Sequence, residues 1–207
     1  MREPEDLPIK MPRGKGQSMK LGATPTKRRG FFMFIFIIGG VRSGKSRYAV
    51  KLAKGLNLCT AYIATCVHPD QEMKARIKQH KNSRPASWTI FEEGQDIPVL
   101  LNKLKGRYKV VVIDCLGLLV SNLLAENLTD AAILRKLKRL ARGLSQRPAT
   151  VILVSNEVGG GIVPDNPLAR RFRDLVGLAN QILAEQADEV ILMQAGIPMK
   201  IKEAGNG

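Results

Sequence analysis

Phe34-Ile35-Phe36-Ile37-Ile38-Gly39-Gly40-Val41-Arg42-Ser43-Gly44-Lys45-Ser46 is the stretch on which the fold turns. An apolar run that begins at Phe31 stops at two glycines and gives way to a charged segment with helical spacing, 46–54. Gly39, Gly40, Val41, Arg42, Ser43, Gly44, Lys45 and Ser46 fit G-x-x-x-x-G-K-[ST], with a strand before and a helix after, as a phosphate cradle requires. Glycines let the backbone curl so that successive N–H groups face phosphate oxygens, and the helix N-terminus adds positive potential. In such a loop Lys45 reaches the β- and γ-phosphates and Ser46 holds Mg²⁺. The bland competitor, a Gly-rich turn with no nucleotide, lacks a reason for this flanking order.

Outward from that loop, apolar runs alternate with helical patterns. Strands are predicted over 61–65, 110–114, 150–155, 189–194 and 197–202, and helices over 46–54, 70–81, 130–144 and 168–185. Alternation of this kind predicts an α/β fold, a mostly parallel sheet with helices on both faces. The last two strands flank Gly196 and form a C-terminal antiparallel edge hairpin. Asp114 ends the hydrophobic strand Val-Val-Val-Ile-Asp, where a metal-side carboxylate belongs, because ligands of open α/β sheets gather at the carboxyl ends of strands. Its competitor is a solvated strand-end Asp.

The chain has 207 residues, 44% of them hydrophobic and 25% charged, which excludes collagenous, coiled-coil and disordered classes. Net charge is +15, and a third of it sits in residues 1–30, where eight Lys/Arg face three carboxylates. That segment is rich in Pro, Gly, Lys and Arg without apolar periodicity and reads as a disordered basic extension. The domain proper is 31–207, and Met33 is a candidate natural start. The apolar run after the tail is too short to span a bilayer, which needs about 20 residues. Such a charge surplus suits polyanions, small phosphates included. With 5% aromatics and no aromatic–basic interleaving, a specific nucleic-acid platform is not expected. Three cysteines without a CxxC pair argue against a disulfide framework and for a reducing cytoplasm.

Only two histidines exist, His68 and His80. His80 closes a helical stretch next to Arg76, Lys81 and Arg84. It reads either as a helix-terminal surface residue or as a neutral imidazole that the surrounding cations keep deprotonated and nucleophilic toward phosphorus. His68 before Pro69-Asp70 reads as structural.

Taken together, GGVRSGKSRYA from Gly39, YIAT from Tyr62, DQEMKARIKQHKNSRPASW from Asp70, DCLGLLVSNLL from Asp114 and the long SNEVGGGIVPDNPLARRFRDLVGLANQILAEQADEVILMQAGIPMKIK from Ser155 carry a family likeness. The sequence resembles the bifunctional adenosylcobinamide kinase / adenosylcobinamide-phosphate guanylyltransferases of cobalamin biosynthesis, from about residue 34 to 202. The resemblance implies a RecA-like P-loop NTPase fold and two reactions on one corrinoid. First, adenosylcobinamide is phosphorylated with ATP or GTP. A histidine then takes GMP from GTP and passes it to adenosylcobinamide phosphate, giving adenosylcobinamide-GDP. By motif position that histidine is His80, with Lys45 the second catalytic residue. Nucleotide contacts are implied for Gly39 through Ser46, for Ala64, Thr65 and Cys66, for Lys81, Asn82, Ser83 and Arg84, and for Glu92 and Asp114, with Ser46 and Asp114 on the metal. Arg170, Arg173 and Asp174 also match, for phosphate binding or for pairing across a subunit face, and relatives suggest a homo-oligomer, a trimer. Two positions depart from the pattern: Gln79 stands where some relatives carry a second histidine, and Gly117 where relatives often have Thr. The other enzyme reading is a P-loop small-molecule kinase without nucleotidyl transfer.

Overall fold

A computed structural model describes residues 32–67, 71, 84–146 and 148–203. The basic extension, the expected helix over 70–81 except Gln71, and His68, His80, Lys81, Asn82 and Ser83 lie outside the described residues.

Among those described, the chain runs β1 (Phe34–Gly39), α1 (Lys45–Leu56), β2 (Thr60–Ala64), β3 (Thr89–Glu92), α2 (Ile97–Lys103), β4 (Val110–Asp114), α3 (Leu116–Ala125), α4 (Asp130–Ser145), β5 (Thr150–Asn156), α5 (Pro167–Gln186), β6 (Glu189–Gln194) and β7 (Ile197–Lys202). The strands form one seven-stranded sheet in the order β3-β2-β4-β5-β1-β6-β7, parallel throughout except for β6 and β7. Strand β5 lies between β1, which feeds the glycine loop, and β4, which ends in Asp114. That spacing is the RecA-like arrangement expected from the resemblance.

Strands that read as unbroken apolar runs are covered on both faces. On one, Ile35, Ile37, Val110, Val112, Ile152 and Val154 pack against Ala49, Val50 and Ala53 of α1. On the other, Phe34, Phe36, Val111, Ile113, Val151 and Leu153 meet the apolar stripes of α2 to α5. Three helices start where the sequence supplies a side-chain cap: Asp96 for α2, Thr129 for α4, and Asn166 with Pro167 for α5. Helix α1 has no side-chain cap, since Gly44 precedes it at φ 90°, and its first-turn N–H groups stay open to a ligand.

Three elements were not expected from patterning. Helix α3 is nearly all apolar, LGLLVSNLLA, because it is wedged between the sheet and its neighbouring helices and shows no periodic contrast. Strand β3 has four residues at the sheet edge, too few to show a periodic signal. Helix α2 has only seven residues, with a proline in its first turn.

Candidate active site

Parallel register brings the expected residues to one edge of the sheet. Glu92, Ala64 and Asp114 form one row across β3, β2 and β4, and Gly39 pairs with Asn156 at the ends of β1 and β5. At about 4.8 Å per strand step, Asp114 stands roughly 10 Å across the sheet from Gly39, and Glu92 roughly 19 Å.

The loop is held by its own backbone and by the distant hairpin. Ser43 N–H donates to Gly40 O at 3.3 Å, and Gly196 N–H, in the β6–β7 turn, donates to Ser43 O at 3.1 Å. A Cβ at Gly39 would overlap the carbonyl oxygen of Met193 and lie 2.9 Å from Ser43 Oγ, so only glycine fits there. Val41 and Arg42 form the exposed crest, with Arg42 at φ 55°.

Lys45 lies at the floor, buried, with Nζ donating to Gly40 O at 2.6 Å and to Ser43 Oγ at 3.4 Å. Burial lowers its pKa, opposed by Asp114, so the lysine lies within electrostatic reach of the β4 carboxylate. Burial, and then Asp114, pushes the Cys115 thiol up to about 12, so it is a neutral neighbour and not a thiolate.

Thr65 occupies its expected place but spends its hydroxyl on structure. Its Oγ1 donates to Cys115 O at 2.8 Å and accepts from Cys115 N–H at 2.7 Å, and its own N–H donates to Asp114 O. Asn122 of α3 completes the tie by donating to Thr65 O and Gly94 O. Any ligand contact at 64–66 therefore falls to Ala64, Cys66 or the backbone.

Arg84 lies over the Tyr62 ring, its guanidinium carbon 3.7 Å from the centroid, and its Nε and Nη1 are buried without a hydrogen-bond partner among the described residues. Arg170 and Arg173 do something plainer: Arg170 donates to the carbonyls of Pro164 and Asp165, and Arg173 to that of Gly159. Both pin the 157–166 loop onto α5. Gly117 leaves room for Asn156, whose Nδ2 would be 3.3 Å from a Cβ at 117.

Two groups that patterning did not single out belong to this edge. The hydroxyl of buried Tyr62 donates to Asp114 Oδ2 at 2.6 Å. Buried Ser155 donates to Asn180 Oδ1, and Asn180 donates to Asn156 O, which locks the end of β5 to α5. Both bonds join residues distant in sequence, and no local motif announces them.

As a cation site, the available donors are the Ser46 hydroxyl and the Asp114 oxygen left by Tyr62. Among the described residues no cluster of three or more His, Cys, Asp or Glu could cage a metal. Two hard oxygen donors suit Mg²⁺, which keeps waters and shares phosphate oxygens rather than requiring an all-protein cage.

Residues 35–201 match the family described as cobinamide kinase / cobinamide phosphate guanyltransferase. The chain belongs to this family. It is 42% identical to the bifunctional adenosylcobalamin biosynthesis protein CobU of Salmonella typhimurium LT2, over 82% of this chain and 100% of that protein. The CobU of Escherichia coli K12 is 40% identical with the same coverage. The bifunctional adenosylcobalamin biosynthesis protein CobP of Pseudomonas aeruginosa PAO1 is 39% identical over 80% of this chain and 95% of its own. Within the cobinamide kinase / guanyltransferase family, then, this member pairs an intact glycine loop with a strand-end carboxylate two strands away. Among the described residues no helix is long and apolar enough to cross a membrane.

Proposed function

We propose that this chain carries out two successive transfers on one corrinoid, using one nucleotide cradle. In the first, the hydroxyl of the aminopropanol arm of adenosylcobinamide attacks the γ-phosphorus of ATP or GTP. The β–γ bridging P–O bond breaks, the nucleoside diphosphate leaves, and the hydroxyl proton is released. In the second, the imidazole of His80 attacks the α-phosphorus of GTP and expels pyrophosphate. A phosphate oxygen of adenosylcobinamide phosphate then attacks that phosphorus, the N–P bond breaks, and adenosylcobinamide-GDP is formed.

One observation carries this reading: in a member of this family, Lys45 is buried at the floor of an intact loop, within electrostatic reach of Asp114. Phosphoryl and nucleotidyl transfers depend on positioning and charge neutralisation more than on covalent help from the protein. The open N–H groups at the start of α1 and the Lys45 ammonium hold the phosphate chain. Mg²⁺, held by Ser46 and Asp114, supplies further neutralisation when bound. Gly39 to Ser46 cradle the phosphates, while Ala64, Cys66, Glu92 and Arg84 line the path toward the nucleoside. His80 is four residues from Arg84, a span of at most about 14 Å, which supports its reaching the nucleotide from this side of the sheet. Nucleotide contacts by Lys81, Asn82 and Ser83 belong to the same reading. The exposed Ile162, Val163 and Leu168 support a homo-oligomer, a trimer in this reading, which sedimentation velocity tests.

The deciding experiment is mass spectrometry of the protein after incubation with GTP and Mg²⁺. One added GMP on His80, absent from His80→Ala while that variant still phosphorylates cobinamide, is the expected result. Phosphorylation without any GMP adduct would leave a small-molecule kinase instead.

A further inference from the structure

Tyr62 lies in the middle of β2 and is almost fully buried, and a phenylalanine would fill the same space. A hydroxyl on a buried strand is costly unless it finds a partner. Here the partner is the carboxylate at the rim of the site: Tyr62 pairs in register with Val112 and Ala64 with Asp114, so a tyrosine reaches up its own face to Asp114 Oδ2 at 2.6 Å.

The ring has a second tenant. Arg84 lies on it, and the indole of Trp88 stacks beside it with centroids 6.4 Å apart and planes at 25°. Two guanidinium nitrogens of Arg84 are shielded from solvent and unpaired among the described residues, which buried polar atoms do not ordinarily tolerate. Neither feature is required by the packing of the sheet, and both converge on one side chain.

We propose that Tyr62 is a positioning residue with two separable duties: its hydroxyl fixes the Asp114 carboxylate for the γ-phosphoryl transfer, and its ring seats the Arg84 guanidinium for the GMP transfer. This assignment rests on the two-transfer reading above. It makes one aromatic residue the shared footing of two chemistries, through two different parts of the same side chain.

Two conservative variants separate the duties. Tyr62→Phe keeps the ring and loses only the hydroxyl. Arg84→Lys keeps the charge but loses the planar group that lies on the ring. Three readouts are taken on each: affinity for a fluorescent GTP analogue with Mg²⁺ and with EDTA, kcat and KM for ATP-dependent cobinamide phosphorylation, and GMP incorporated into the protein. For Tyr62→Phe the gain in affinity on adding Mg²⁺ is expected to shrink about fivefold. Its phosphorylation kcat should fall about tenfold, with GMP incorporation falling clearly less. For Arg84→Lys the pattern reverses: GMP incorporation falls about tenfold, and phosphorylation kcat falls clearly less.

A Tyr62→Phe protein that matches the parent in Mg²⁺-dependent affinity and kcat overturns the hydroxyl's duty. An Arg84→Lys protein that loses both transfers alike, or neither, overturns the ring's. A parent protein that binds GTP but performs neither transfer overturns the two-transfer reading. In that case the Mg²⁺-dependent binding of Tyr62→Phe still decides whether Tyr62 positions Asp114.

Discussion

The glycine loop and the Tyr62–Asp114 cluster face the same edge of the sheet but are built in opposite ways. The loop is eight consecutive residues whose shape follows from backbone torsions, Gly44 at φ 90° and Arg42 at φ 55°. The cluster joins side chains 52 residues apart, and it exists because β2 and β4 pair in one particular register. Local construction makes the loop recognisable as a motif. Yet its rigidity is borrowed, since the β6–β7 hairpin closes on it through Gly196 N–H and the Met193 carbonyl. The cluster is the reverse: unannounced in sequence, but held by short bonds to buried partners.

The largest expected effect comes from the residue both chemistries share. Lys45→Met should lower cobinamide phosphorylation and GMP incorporation by at least about a hundredfold each, measured in separate assays, because both transfers use the same phosphate grip. Its stability should move differently. Burial lowers the folded-state pKa of Lys45 below 10.5, so the folded chain binds this proton less tightly than the unfolded chain. Where the unfolded state binds more protons, stability rises with pH. The parent should therefore gain stability relative to Lys45→Met as pH climbs from the lysine's folded pKa to 10.5, and urea midpoints across that window test it. A methionine variant that retains phosphorylation would remove the common grip altogether.

Next is a steric test of the borrowed rigidity. Gly39→Ala places a methyl against the Met193 carbonyl, a backbone atom that cannot step aside, and should cost about 3 kcal/mol in urea denaturation. Gly40→Ala meets nothing within 4 Å and should stay within about 0.5 kcal/mol. Equal costs at the two glycines would mean that the hairpin does not brace the loop.

How much of this was legible follows from where each feature gets its information. Strand β4 and hairpin strands β6 and β7 stand where the apolar runs and the Gly196 turn placed them, and the other predicted strands, β1, β2 and β5, differ by a residue or a few at their ends. A parallel sheet covered on both faces needs continuous apolar strands, and such runs are visible. Helix α3 is hidden for the same reason: LGLLVSNLLA is apolar nearly throughout and carries little amphipathic contrast. In the site, Lys45, Ser46 and Asp114 were legible from local context, a glycine loop and a strand end. The structural use of the Thr65 hydroxyl, the Tyr62 bond and the role of Arg170 in pinning the 157–166 loop were not. Each depends on a partner supplied by another strand, or by a loop folded back on its helix, and a single sequence does not print register.

Thr65→Val sharpens the contrast from the cluster's side. Valine fills the same volume but leaves Cys115 N–H, buried beside Asp114, without its partner, while Cys115 O keeps the Leu119 N–H. An unsatisfied buried group costs about 2 kcal/mol, read as a shift in the urea midpoint at constant m-value. Because the tie sets the turn that follows Asp114, phosphorylation should fall with it, while GMP incorporation falls less. A stability loss with both transfers untouched would make Thr65 a fold residue only.

The smallest effect belongs to a position remote from both regions. Thr129 caps α4, its hydroxyl accepting from Ala132 N–H at 3.3 Å, and the helix buries Ile133, Leu137, Leu140 and Leu144 against the sheet face opposite α1. Thr129→Ala should cost about 1 kcal/mol, as lost helix caps do, visible in denaturation and invisible in either transfer. This variant calibrates the others, because it lowers global stability without touching a strand end. If both transfers fell in proportion to its 1 kcal/mol, the site would be reporting the stability of the whole sheet. The separate responses expected of Gly39→Ala and Thr65→Val would then be two readings of one cooperative unit. Unchanged transfers in Thr129→Ala license reading those two variants as statements about the loop and the cluster individually.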